Sequence, residues 1–223
     1  MSHRLIAVDS SNAHTSLVAS EDGELCWSGD CDQRDNLGWL RHSLSQALTE
    51  LGWERSSVDA LAVSHGPGAL TGVRVGVGFV QAYAMGLQRP VHAVNTLAAL
   101  AASTQRPDSV EELKVALDAR MGQLYAARIN LQSWAVLDEQ LAEPAPILRS
   151  WGAGLYAGPG WAVYAEQLSA KQRCISGVGP HARGVAIASH AVPAQPAHEV
   201  QVHYLRRQVA RVPERVKLST QDT

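Results

Sequence analysis

Phenylalanine is almost missing from this chain, with one residue in 223, while glycine is plentiful at eighteen. That balance points to tight turns and close packing rather than a core filled by aromatic bulk. Cysteine is scarce too. Cys26, Cys31 and Cys174 are odd in number and form no Cys-x-x-Cys pair, which excludes a disulfide framework of paired cysteines. Met1-Ser2-His3-Arg4 leads directly into strand-like residues, with no apolar stretch typical of a secretory signal. The longest apolar runs are broken by Gly or Arg well short of the ~20 residues that a membrane-crossing helix needs. A reducing cytoplasm and no membrane association are the expectation.

Charge of one sign is also lacking. Nineteen basic residues face twenty-one acidic ones, so no whole-protein field draws in a polyanion. The exception is local. Arg206, Arg207, Arg211, Arg215 and Lys217 stand together with only Glu214 between them, and read either as a solvated tail or as a nucleic-acid contact.

Catalytic constellations are absent as well. Nine histidines include no His-x-x-x-His or His-x-x-Glu-His pair, and His198 and His203 are five apart in a segment that reads as strand. There is no Gly-x-Ser-x-Gly elbow. No metal site and no catalytic residue is therefore assigned.

With 46% hydrophobic residues the chain can bury one domain or two compact lobes. Leu5 to Val8 forms a short apolar run ending at Asp9. Thr15 to Ser20 and Glu24 to Gly29 flank Asp22-Gly23, a hairpin signal. The period then changes: Leu37, Leu40, Leu44, Leu48 and Leu51 fall on one helical stripe, with Gly52 placed as the cap. Val58 to Ser64 returns to strand. Thr71 is placed to cap a helix running to Leu87, which Arg89-Pro90 stops. Val91 to Val94 reads as strand and Thr96 to Ala102 as a short helix. Pro107-Asp108 marks a boundary, giving units over 1–106 and 107–223. In the second, Leu113 to Leu117 and Leu124 to Leu131 read as strands, and the regions 151–168 and 181–190 as helices. The order of elements is that of an actin/hexokinase lobe, α/β in class, followed by a related second half.

Two features carry most of the chemistry. Ser64-His65-Gly66-Pro67-Gly68-Ala69-Leu70-Thr71-Gly72 joins a strand to a helix. Such a loop either cradles a phosphate with backbone amides or serves as a tight turn; no Lys follows its last Gly, so it is not a P-loop. Asp9 and Ser10 at one strand end and Asp118 at another are the acidic and polar groups that would accompany Gly66 and Gly68 in a nucleotide site. The following helix carries Gly72, Gly76, Gly78 and Gly86, each costing about 1 kcal/mol of helix stability. Close approach of another helix offsets such a cost, whether from a partner or from the chain's own core.

The run Ala60 to Gly76 resembles the signature of the bacterial TsaB (YeaZ) family. Leu117-Asp118-Ala119-Arg120-Met121-Gly122-Gln123-Leu124-Tyr125 is similar to that family's second signature, and Tyr204-Leu205-Arg206 to its short C-terminal motif. The resemblance spans nearly the whole chain. It implies an actin-like (ASKHA) fold of two ribonuclease-H-like subdomains and no catalysis by this subunit. It implies a TsaD-type catalytic partner, a TsaE-type ATPase joining them, and threonylcarbamoyl transfer to the adenosine beside the anticodon of tRNA. ATP would be used by the complex and not by this chain, which would touch tRNA only through the complex and would form a homodimer when alone. In the catalytic relative a strand is followed by Asn-His and, four residues later, a second metal-binding His. Here Asn95 matches, but Thr96 and Leu100 stand at the two histidine positions, and neither replaces an imidazole. The first helix departs from the family, with Asn36-Leu37 and Leu40-Arg41-His42 where His-Ser and Leu-Leu-Pro are usual.

The expected partner surface consists of Leu37, Leu40 and Leu44 on the first helix and Val73, Gly76, Val77, Val80 and Ala84 on the glycine-rich one. The alternatives are a small-molecule kinase or ATPase of the same superfold, built on Asp9, the Gly66–Gly68 loop and Asp118, and a metallopeptidase-like protein.

Overall fold

In the computed structural model, residues 2–32 and 35–206 are described. The basic cluster beyond Arg206 lies outside them.

β1 (Arg4–Asp9), β2 (Thr15–Glu21) and β3 (Glu24–Cys31) form an antiparallel meander. Asp22 and Gly23 turn β2 into β3 with φ of 52° and 86°, left-handed values that this pair tolerates. After α1 (Asn36–Leu51), β4 (Ala60–Ser64) joins β1 in parallel. α2 (Leu70–Leu87) then crosses to β5 (Val91–Val94), parallel to β4. The sheet order is β3-β2-β1-β4-β5.

Past α3 (Thr96–Ser103) the pattern repeats. β6 (Glu112–Asp118), β7 (Leu124–Asn130) and β8 (Val136–Ala142) form a second meander. α4 (Pro144–Trp151) leads to β9 (Gly154–Ala157), and α5 (Pro159–Val163) to β10 (Gln172–Ile175). This sheet has the order β10-β9-β6-β7-β8. Three antiparallel strands plus two parallel ones, built twice in the same order, is the duplicated actin-like α/β architecture.

β1 alternates its buried side chains between two cores. Ile6 and Val8 face α1 and α2, meeting Leu40, Leu44, Val77 and Val80. Leu5 and Ala7 face the other way, against Ala99 of α3 and Val185 of α6 (Ala182–Ser189). Residues Thr96 to Ala102 of α3 are all buried, because Leu97 and Leu100 pack on the second sheet with Leu113, Val115 and Ile129. A helix apolar on all sides is one enclosed on all sides.

Two expectations are corrected. Residues 151–168 are not one helix: Gly152 and Gly158, at φ of 61° and 109°, break the chain around β9. The 107–223 unit does not hold as a block either. α6 packs on the first sheet, and Gln195 bridges back to Val91. The apolar face of Ala182, Val185 and Ala186 finds its complement there.

Candidate functional site

The glycine loop closes on the chain itself. Gly66 N donates to Thr96 Oγ1 at 3.1 Å, Thr96 N to Gly66 O at 2.9 Å, and Ala69 N to Ser11 O at 2.8 Å. A Cβ on Gly66 would overlap the backbone carbonyl of His203, and one on Gly68 would come within 2.5 Å of Ser11 O. The two glycines thus admit the chain's own backbone. Asp9 is wholly buried, its carboxylate accepting from Ser11 N (3.2 Å), Ser11 Oγ (3.0 Å) and Asn12 Nδ2 (3.4 Å). Burial pushes its pKa above the ordinary carboxylate value, against the pull of Ser64 and Ser11. Ser10 Oγ donates to Gly72 O at 2.8 Å. Asp118 accepts from Arg120 N at 2.8 Å and pairs with the Arg120 guanidinium at 3.4 Å, within its own turn.

Asp9, Ser10, Gly66 and Gly68 are therefore neighbours, with the Asp9 carboxylate, the Ser10 hydroxyl and Gly66 N engaged within the chain, while Asp118 is held in its own turn. Thr96 and Leu100 are fully buried, one accepting from Gly66 and the other in the core. Among the described residues no group of three His, Cys, Asp or Glu side chains is placed to hold a metal.

Sequence reasoning missed what lies over the loop. The segment 201–206 lies against it, with the His203 backbone beside Gly66. His203 N donates to His65 O at 2.7 Å, and the His65 ring Nδ1 sits 2.9 Å from Gln201 O. His203 Nε2 meets Glu139 Oε2 of β8 at 2.7 Å, while Glu139 Oε1 accepts from Asn95 Nδ2, also at 2.7 Å. Arg74 Nε of α2 donates to the Tyr204 hydroxyl at 2.8 Å, and Arg206 reaches Ala119 O at 2.9 Å. His203 and Glu139 are 64 residues apart, so no local signal pairs them.

α2 has two faces. Val73, Gly76, Val77, Val80 and Ala84 point inward, as do Leu40 and Leu44 of α1. All seven belong to the core and not to an open surface, which corrects the partner-surface assignment for each of them. A Cβ on Gly76 would overlap Ser10 Oγ, and one on Gly72 would overlap Ser10 O. Gly78 and Gly86 face the other way, and a Cβ on either would meet nothing within 4 Å among the described residues. Beside Gly78 lies an apolar furrow of about 570 Å³ between α1 and α2, lined by Leu37, Val75, Phe79, Ala82 and Tyr83 with Arg41 and Arg74 at its edge. Leu37 of α1 is the one expected surface residue that is exposed, at 50%, and Met85 of α2 is exposed at 59%.

A model of the family described as "TsaD: tRNA N6-adenosine threonylcarbamoyltransferase" matches residues 33–172. The chain is 29% identical to a Haemophilus influenzae protein named tRNA threonylcarbamoyladenosine biosynthesis protein TsaB, over 73% of this chain and 74% of that one. It is 32% identical to the Escherichia coli protein of the same name, over 56% and 54%. The solved structure described as YeaZ from Pseudomonas aeruginosa matches with a TM-score of 0.80 at 30% identity, covering 91% of this chain and all of that one. The chain belongs to the TsaB/YeaZ family. Within that TsaB/YeaZ frame, Asn95 caps α3 by accepting from Leu97 N at 2.8 Å and holds Glu139 with its amide. Among the described residues, no helix is long and apolar enough to cross a membrane.

Proposed function

We propose that this chain serves threonylcarbamoyladenosine biosynthesis on tRNA as a non-catalytic scaffold that pairs with a TsaD-type catalytic subunit. Gly78 carries the reading. It costs helix stability of about 1 kcal/mol, yet among the described residues nothing outside its own helix would come within 4 Å of a Cβ there, and it borders an apolar furrow. A partner helix seated along Gly78 and Ala82 gives that glycine its reason. A TsaE-type ATPase would join this pair, and tRNA would meet the assembly mainly through the catalytic subunit. Without the partner, the same face is open to a second copy, giving a homodimer. Support for a silent cleft comes from Asp9 and the glycine loop, whose polar groups are engaged within the chain.

Gly78→Trp tests this. The bulky ring projects into open space, so the variant should fold, as circular dichroism will show. Loss of binding to the purified TsaD-type subunit and loss of tRNA modification are expected. A folded Gly78→Trp chain that binds and supports modification normally overturns the reading.

A further inference from the structure

The furrow beside Gly78 does not end at Tyr83. It continues past the Phe79–Tyr83 stack, whose ring centroids are 6.4 Å apart, into a second hollow of about 530 Å³. The lining changes there: Arg41, His42 and Ser45 come from α1, and Arg55 from the turn that follows it. No Asp or Glu among the described residues lines it. Among the described residues neither Arg41 nor Arg55 is in an ion pair. Of the acids near in sequence, Asp35 caps α1 by accepting from Gly38 N, Glu50 accepts from Trp27 Nε1 and Gln46 Nε2, and Glu54 lines an adjoining hollow that Arg55 also borders. Between the apolar and basic halves, the Tyr83 hydroxyl is buried with no hydrogen-bond partner among the described residues.

A buried hydroxyl left without a partner is destabilising, and two unpaired guanidiniums beside it make the natural acceptor a carboxylate. We infer that this furrow is a composite docking site whose occupant is a partner helix bearing an acidic side chain: its small or apolar face lies on Gly78 and Ala82, and its carboxylate reaches Tyr83, Arg41 and Arg55. This rests on the partner reading above and adds the partner's chemistry to it. A second copy presents the same lining, in which no described acid is found, and so does not offer this carboxylate from its own furrow.

The experiment uses the full chain and the purified TsaD-type subunit, with Kd read by calorimetry. Arg41→Glu/Arg55→Glu, both at exposed positions, should weaken binding by roughly a hundredfold near ~0.1 M salt, as charge reversal at an interface costs several kcal/mol. That difference should shrink toward ~1 M salt, where screening length falls to about 3 Å. Tyr83→Phe should weaken binding about tenfold to a hundredfold, the worth of one hydrogen bond to a charged group. The milder Arg41→Gln/Arg55→Gln pair serves if the reversed variant misfolds, with about tenfold loss expected. Sedimentation of the wild-type chain alone should show self-association far weaker than its binding to the partner. Charge variants that bind like wild type, while Gly78→Trp does not bind, overturn the acidic-partner inference and leave the docking face standing. If Gly78→Trp binds normally too, the docking face itself falls. Self-pairing as tight as partner binding also overturns the inference.

Discussion

His203 Nε2 lies 2.7 Å from Glu139 Oε2, and through that contact the segment after the last helix is fastened to the outer strand of the second sheet. Glu139 is also held by Asn95 of the first half. One carboxylate therefore ties together a strand of one lobe, the entrance of the central helix, and the strap across the glycine loop.

Removing that carboxylate's charge should loosen the strap. Glu139→Gln keeps the shape and the hydrogen bond from Asn95 but forfeits the charge-assisted bond to His203, a loss of about 1–2 kcal/mol. For a chain of this size that corresponds to about 2–8 °C in melting temperature. Scanning calorimetry checks it, and His203→Ala should fall in the same range. The double variant should cost less than the sum of the two, since they share one contact. Strict additivity would show that the pair does not interact.

His65 should make stability pH-dependent. Burial pulls its pKa below the ordinary histidine value, the contact with Gln201 O opposing. A histidine whose folded pKa is depressed contributes stability that is fully present above the unfolded value near 6.5 and is lost as pH falls below it. Wild-type protein should therefore lose stability between about pH 7 and pH 5. His65→Asn, whose amide stands near the place of Nδ1, should show a flatter profile in chemical denaturation over that window. An unchanged slope would remove His65 as the cause.

Asp9 runs the other way. Its folded pKa is raised by burial, so the folded state is favoured while the group is protonated. That advantage is lost as pH rises from the unfolded value near 3.9 through the folded one. Asp9→Asn keeps an acceptor for Ser11 N and places an amide toward the Ser11 hydroxyl. The expected outcome is unchanged or higher stability at pH 7, with tRNA modification by the reconstituted complex retained. Abolished modification with an intact fold would show that the carboxylate takes part in the chemistry.

Two glycines on one helix should respond oppositely to alanine. Gly76→Ala drives a methyl into Ser10 Oγ and should destabilise by about 1–3 kcal/mol through overpacking. Gly78→Ala meets nothing and should stabilise the isolated chain by about 0.5–1 kcal/mol through helix propensity. Urea denaturation of both separates the two kinds of glycine. Equal effects would mean that the Ser10 contact does not constrain the helix.

Elements written in local chemistry were legible from the sequence alone. Asp22-Gly23 dictated the first hairpin, the leucine stripe dictated α1 with Gly52 as its left-handed cap, and Val91–Val94 matched β5 residue for residue. In each case the determining contacts lie within a few residues, or the apolar period is unambiguous. The short strands β9 and β10 carried no such signal. Four residues have no readable period, and they are strands because β6 offers an edge to β9 and β9 in turn offers one to β10.

Which side of α2 faces the core was likewise a tertiary decision. The helix is built mostly of small and apolar residues, and its sparse polar stripe of Thr71, Arg74 and Gln81 is a thin signal of which glycines are inside. Ser10 at the end of β1 settles it by pressing against Gly72 and Gly76, and Gly78 is left facing out as a consequence. The strap is the clearest case. His203, Glu139 and Asn95 are unremarkable in sequence and far apart along the chain, and only the closure of two lobes around α3 brings an imidazole, a carboxylate and an amide within hydrogen-bond reach.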